Sequence, residues 1–209
     1  MGAVKKKIRS GGRPMTAVVL AGGRGRRMKA DKARLDVGGR TLLEHVLAQV
    51  EPLFDEVLVS LSPGQNAPPL PAASRARAVH DARPGLGPIG GLLAGLTAAR
   101  TEACAVVACD IPDIDMALLR SLAEAAADAE IAVPLGPSGL YEPLLAVYRK
   151  SIVPEVEALL EKGERSLLPL YKTCRTAVVR FDDPGRIRNL NTREDYEDFL
   201  RLHLGRTRD

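Results

Sequence analysis

Tryptophan is missing from this 209-residue chain and aromatics make up only 3% of it, so Leu, Val, Ile and Ala must fill whatever core it builds. Cysteine is scarce as well. Cys104, Cys109 and Cys174 are odd in number and lack C-x-x-C spacing, which excludes a disulfide scaffold and predicts free, buried thiols of a reducing, cytoplasmic compartment. His45, His80 and His203 are scattered with no H-x-x-x-H pair, so no zinc site is expected. No apolar run approaches a membrane span. The opening "MGAVKKKIRSGGRP" has a basic start without an apolar h-region, and Lys6 stands where a myristoylation signal would want Ser or Thr; this predicts neither signal peptide nor membrane anchor.

Charge of one sign is not in large excess either. The net charge of +4 suits an anionic ligand, but no basic helix and no basic strand interleaved with aromatics is present, which argues against nucleic acid as a partner. Internal repeats and low-complexity linkers are absent. "SPGQNAPPLPAAS" (62–74) reads as a Pro-rich surface loop. The chain is read as a disordered basic tail over residues 1–14 followed by one domain over 15–209.

What is present is an alternation of short apolar runs with helical patterns. "AVVL" (17–20), "VLVSL" (57–61), "AVVAC" (105–109), "IAVP" (131–134), "LLAVY" (144–148) and "AVVRF" (177–181) are strand candidates. Most are apolar throughout, as strands covered on both faces are. Between them, "TLLEHVLAQV" carries Thr41 and Glu44 at the spacing of a capping box. "PIGGLLAGLTAAR" has Pro88 where a first helical turn tolerates it. "DIDMALLRSLAEAAADAE" sets Met116, Leu119, Leu122 and Ala123 at helical spacing, with Asp113 or Asp115 as its N-cap. "IVPEVEALLEKG" ends at Gly163, and "NTREDYEDFLRL" offers Thr192 as cap with Tyr196, Phe199 and Leu200 as its apolar stripe. The pattern predicts a three-layer α/β fold with a mostly parallel central sheet, whose ligand lies beyond the carboxyl ends of the strands.

The first strand runs into "VVLAGGRGRRMKADKARL". Gly22, Gly23 and Gly25 remove the Cβ atoms that would keep a phosphate from the backbone amides. Arg24, Arg26, Arg27 and Lys32 add positive charge, the arginines as planar forks and the lysine as a compact point charge. So many cations beside bare backbone repel one another unless an anion sits among them; a solvated basic turn is the other reading. The stretch is not a Walker A loop, since G-K-[ST] is missing.

Carboxylates follow two later strands. "CAVVACDIPDID" places Asp110 at the tip of a buried strand, where a Mg²⁺ ligand facing a phosphate site is expected. "HDARPGLGPIGGLLAGL" places Asp81 before a glycine-opened helix. Gly85, Gly87 and Gly90 there match the dinucleotide fingerprint G-x-G-x-x-G. That match is set aside because the strand before it is weak, Pro88 interrupts it, and it leaves the first loop unexplained.

Taken together, "LAGGRGRRMKADKARL", "VHDARPGLGPIGGLLAGL", "ACDIP", "YEPLLAVY" and "NLNTREDY" resemble the molybdenum cofactor guanylyltransferase family over about Thr16 to Leu204. The resemblance implies a Rossmann-like nucleotidyltransferase fold and transfer of GMP from GTP to the phosphate of molybdopterin, with Mg²⁺ required and pyrophosphate released. It implies that Leu20, Ala21, Gly22, Gly23, Ser60 and Asp81 hold the nucleotide, that Lys32 reaches its phosphates, and that Asp110 binds the metal. Asn189 and Asn191 lie toward molybdopterin. Gly23 points to guanine, because the cytidylyl-transferring branch reads L-A-A-G. Ser60 stands where many members carry Asn, and Glu142 stands where Gln or His is frequent; Glu142 is given no catalytic role.

The expected catalytic residues are Lys32, Arg27 and Asp110. With no covalent nucleophile in view, positioning and charge neutralisation must supply the catalysis. Apo-molybdoenzymes or other cofactor-biosynthesis proteins are the expected protein partners. Two other activities remain compatible with the residues: a related nucleotidyltransferase using CTP or another phosphorylated acceptor, and a non-catalytic GTP-binding adaptor that delivers cofactor.

Overall fold

The computed structural model describes residues 6–22, 31–66, 70–81 and 83–206. Seven strands form one sheet in the order β3-β2-β1-β4-β6-β5-β7. They are β1 (Met15–Leu20), β2 (Glu56–Leu61), β3 (Arg77–His80), β4 (Ala103–Ala108), β5 (Ile131–Leu135), β6 (Leu145–Arg149) and β7 (Thr176–Arg180). All neighbouring pairs are parallel except those made by β6, which runs antiparallel to both β4 and β5. The six strands expected from sequence are all present. The weak "AVH" is the end of a seventh, β3, whose two end residues are exposed at the sheet edge.

The helices are α1 (Leu42–Val50), α2 (Pro88–Ala98), α3 (Met116–Ala125), α4 (Val153–Glu161), α5 (Leu170–Thr173) and α6 (Arg193–Arg206). Local chemistry marks where several of them begin and end. Thr41 and Glu44 form a reciprocal capping box on α1. Asp115, not Asp113, caps α3 by accepting from the Leu118 amide at 2.8 Å. Thr192 accepts from the Asp195 amide at 3.1 Å and opens α6. Gly163 follows α4 with φ +78°.

Alternation along β1 sorts the core into two faces. Ala17 and Val19 pack with α1, α3 and Phe199 of α6, whereas Val18 and Leu20 pack with α2 and α4. This is the three-layer arrangement. On the second face α2 lies so close that a Cβ on Gly95 would come within 2.4 Å of Val18 Cγ1, and the stiff β-branched side chain cannot swing clear.

The reading of residues 1–14 as a disordered tail is corrected over residues 6–14. Ile8 is fully buried, and its amide donates to Leu53 O at 2.8 Å. Arg9 pairs with Asp55 at 2.7 Å, and Arg120 donates to Lys6 O at 2.7 Å. One apolar residue in a basic stretch is enough to anchor it, because burying Ile8 beside the α1–β2 corner removes its side chain from water.

The sheet order puts the site in place. From β1 the chain moves outward to β2 and β3, then crosses back to pair β4 on the other side of β1. The loops after β1 and β4 therefore diverge from adjacent strand ends, and such a switch point opens a crevice.

Candidate active site

Beyond Leu20 the chain stays bound to its neighbours. The Ala21 amide donates to Ser60 O at 2.9 Å, and the Cys109 amide to Leu20 O at 3.0 Å. Gly22 then passes the end of β2 so closely that a Cβ would sit 2.9 Å from the Ser62 amide nitrogen. Any side chain here must push backbone against backbone. Gly23, Gly25, Arg24, Arg26 and Arg27, singled out by sequence, lie outside the described residues.

The described chain resumes at Asp31, whose carboxylate caps the short 3-10 turn Lys32–Arg34 by accepting from Ala33 N at 3.1 Å. That turn aims Lys32 at the end of β4. Lys32 Nζ donates to Asp110 Oδ2 at 2.8 Å and to Asn191 Oδ1 at 3.4 Å. Three sequence-predicted residues from three separate loops thus meet at one ammonium group.

The Asp110 loop is secured from both sides. Asp110 O accepts from Leu190 N at 2.8 Å, which ties the "NLNT" segment to it. Pro112 O accepts from Gln49 Nε2 at 2.6 Å and from His45 Nε2 at 2.9 Å, both on α1. Asp195 accepts from the amides of Asn191 and Thr192 at 2.9 and 2.8 Å, so the backbone of Asn191 is clamped while its side chain reaches Lys32. Asn189 is not among the hydrogen-bond partners of Lys32; it interacts with Glu142 instead. Burial pushes the Glu142 carboxyl above its usual range; the Asn189 bond opposes this and the charge of Asp110 adds to it.

The other predicted pair, Ser60 and Asp81, sits in an adjoining lobe. Ser60 Oγ donates to Asp81 Oδ1 at 3.2 Å. Burial raises the Asp81 carboxyl above its ordinary value, and the Ser60 bond partly offsets that. A cavity of about 620 Å³ opens here, lined by Leu20, Gly22, Ser60, Asp81, Pro88 and Gly91. A Cβ on Gly91 would stand 3.0 Å from both Leu20 Cδ2 and Ser60 Oγ. Next to it, a smaller cavity of about 140 Å³ is lined by Ala21, Gly22, Lys32, Asp110 and Leu144. The two share Leu20, Gly22 and Pro88 and form one cleft with a roomy end and a charged end.

Two further features were invisible in the sequence. Arg186 donates to Asp115 Oδ2 at 2.5 Å and so clips the 183–192 loop to the start of α3. Burial works against the Asp115 charge, but Arg186 and the Leu118 amide outweigh it and hold its pKa low. Two of the three scattered histidines are also brought together: His45 and His203, with Asp113, place ligating atoms within 4.8 Å of one another. Their chemistry does not suit a metal. Arg40 Nη2 lies 2.7 Å from His45 Nδ1, and a guanidinium can only donate, which assigns the ring proton to Nε2. That proton is donated to Pro112 O, so a metal at Nε2 would have to displace it.

The free thiols are inert by environment, since burial pushes Cys104 up to about 12 and also raises Cys109 and Cys174.

Comparison with known proteins agrees with this geometry. The MobA-like NTP transferase domain matches residues 17–176. A probable molybdenum cofactor guanylyltransferase of Chloroflexus aggregans is 36% identical, covering 92% of this chain and 96% of its own length. A molybdenum cofactor guanylyltransferase of Vibrio parahaemolyticus is 32% identical, covering 88% and 94% respectively. Among solved structures, the molybdopterin-guanine dinucleotide biosynthesis protein A of Archaeoglobus fulgidus superposes with a TM-score of 0.74 at 26% identity, covering 90% of this chain and 97% of that one. With the glycine turn, the Lys32–Asp110 pair and the switch-point cleft all inside the matched span, the chain belongs to the family of MobA-like NTP transferase domains.

Proposed function

We propose that this protein is a molybdenum cofactor guanylyltransferase, which transfers GMP from GTP to the terminal phosphate of molybdenum-bound molybdopterin. The observation that carries the reading is the cleft itself. One end is a roomy pocket floored by glycine and faced by Asp81, and the other is a phosphate-sized space between Gly22, Lys32 and Asp110. A nucleoside triphosphate has that same division into a flat, hydrogen-bonding body and a compact polyanion.

The chain's residues take the following parts. Asp81, steadied by Ser60, accepts from N–H and O–H donors of the nucleoside, while Gly91 leaves room for it. Ala21, Gly22 and Gly23 let the main chain approach the phosphates. Lys32 and Arg27 neutralise the charge that develops as an acceptor phosphate oxygen attacks the α-phosphorus. The new P–O bond forms in line with the bond to the β-phosphate, which breaks with its electron pair to release pyrophosphate. Asn189 and Asn191 face the acceptor side.

The donor set fits a hard divalent cation: Asp110 brings a carboxylate and Asn191 an amide oxygen to the same point. When bound there, Mg²⁺ supplies charge neutralisation to the reacting phosphates. Asp110 and Asn191 would hold the cation, and Lys32 beside them would meet phosphate.

Among the described residues no helix is long and apolar enough to cross a membrane. The buried free thiols support a cytoplasmic location, where apo-molybdoenzymes are the partners that would receive the product.

The test is purified protein with Mg²⁺, molybdopterin and each nucleoside triphosphate in turn, followed by analysis of products. Pyrophosphate and a guanine dinucleotide product are expected with GTP. Turnover with CTP alone would identify a cytidylyl-transferring relative, and GTP binding without pyrophosphate would identify a delivery adaptor; either result overturns the proposal.

A further inference from the structure

We propose that Gln65, in the Pro-rich crossover between β2 and β3, is a positioning residue that clasps both ends of the glycine-and-arginine loop. The inference rests on that loop being the phosphate cradle of the proposed function.

The hydrogen bonding of one side-chain amide carries the argument. Gln65 Oε1 accepts from the Ser62 amide at 3.1 Å. Gln65 Nε2 donates to Ala21 O at 3.1 Å and to Asp31 Oδ2 at 3.4 Å. Ala21 is the last buried residue before the loop and Asp31 is the first described residue after it. The one side-chain nitrogen therefore reaches an acceptor at each end of the loop, and the acceptor oxygen fastens the amide to its own turn.

That turn is itself secured. The Gln65 amide donates to Ser62 O at 3.0 Å, and His80 Nε2 lies 3.3 Å from Gln65 O, linking it to the end of β3. Arg34 adds a second bridge by donating to Asn66 O at 3.2 Å while pairing with Asp31 Oδ2 at 3.3 Å.

The consequence reaches the charged end of the cleft. Asp31 uses its other oxygen to cap the turn that carries Lys32. Fixing Asp31 therefore fixes the direction from which Lys32 approaches Asp110. Gln65 touches none of the expected reacting atoms and works through Ala21 and Asp31.

Only an amide of this length meets the three partners. Glutamate keeps the shape but replaces both donors with acceptors, setting a carboxylate against Ala21 O and the Asp31 carboxylate; asparagine is a methylene shorter. The experiment compares wild type, Gln65→Ala, Gln65→Glu and the double variant Gln65→Glu with Asp31→Asn. It reads the GTP dissociation constant with Mg²⁺, hydrogen exchange without nucleotide at Ala21–Gly22 and Asp31–Arg34, and the melting temperature.

Gln65→Ala should weaken GTP about fivefold and Gln65→Glu about twentyfold. Exchange should rise at both loop ends, and melting should change little. The double variant should recover part of the affinity lost in Gln65→Glu, because a carboxamide in place of the Asp31 carboxylate can donate to the new acceptor instead of repelling it. Unchanged exchange at the loop ends, or a lowered melting temperature with GTP affinity intact, overturns the clasp. Wild-type protein that binds no GTP sinks the guanylyltransferase reading instead, and the exchange comparison then decides the clasp by itself.

Discussion

The two sides of the cleft are built by different physics. On the side proposed for the nucleotide, Gly22 and Gly91 bring main chain and helix to within atomic contact of their neighbours, and hydrogen bonds donated by the uncharged side chains of Ser60 and Gln65 set the rest. On the side proposed for the acceptor, the 183–192 loop is held by charged groups: Arg186 on Asp115, Asp195 on the Asn191 and Thr192 amides, Lys32 on Asn191. Close packing is rigid and indifferent to salt, whereas partly exposed ion pairs weaken as salt rises. The nucleotide side should therefore respond to volume, and the acceptor side to charge and ionic strength.

The largest effect belongs to the point where the sides meet. Asp110→Ala and Lys32→Ala should each lower GMP transfer by about a hundredfold or more with the fold retained. Pyrophosphate release and circular dichroism check this together; a Lys32→Ala protein that turns over normally but melts early would make Lys32 a structural residue only.

Next comes volume. Gly22→Ala should raise the KM for GTP by about tenfold or more, since its Cβ meets the Ser62 backbone. Gly95→Ala, in α2 and outside the cleft lining, is the control. Its Cβ strikes Val18 in the core, so it should cost about 1–3 kcal/mol of stability by denaturant melting while GTP affinity per folded molecule stays put. Equal loss of affinity in both variants would erase the distinction between floor and core.

Charge on the acceptor side is worth less, because Arg186 and Asp115 are both partly exposed. Arg186→Ala should raise the KM for molybdopterin by about fivefold and leave the KM for GTP alone, and the wild-type acceptor KM should climb with salt toward that of the variant. A shift in the GTP constant instead would show that the clip serves the whole cleft.

The smallest effect concerns Glu142. Burial and the charge of Asp110 raise its carboxyl above the usual range. A carboxyl raised on folding favours the native state while protonated, and that contribution fades as pH climbs through the folded pKa. Glu142→Gln should therefore melt about one to three degrees higher than wild type at neutral pH and lose this advantage in acid. An advantage independent of pH would point to a packing effect.

Most strands and helix starts can be read directly, because their signals act over a few residues. Thr41 and Glu44 predict their capping box from spacing alone, and the all-apolar "AVVAC" predicts a strand covered on both faces. The edge strand β3 is the weakest signal because Arg77 and His80 carry no apolar period. Asp113 and Asp115 are equivalent as sequence, and the chain direction at α3 gives the cap to Asp115. In the site, Lys32 and Asp110 stood out from the residues themselves, as a cation of the glycine loop and a carboxylate at a strand tip, and the resemblance gave Asp81 its part in holding the nucleotide. Neither supplied the bond from Lys32 to Asn191.

By itself, then, the sequence determined what depends on near neighbours along the chain: where strands and helices begin, which turns need glycine, and that cations crowd after the first strand. Only the tertiary structure decided that Gln65 would meet Ala21 and Asp31, that Arg186 would find Asp115, that Ile8 would be buried, and that His45 and His203 would touch. Those contacts join residues far apart in the chain. They exist because the sheet order sets strands and helices that are distant in sequence side by side, a geometry that no local pattern encodes.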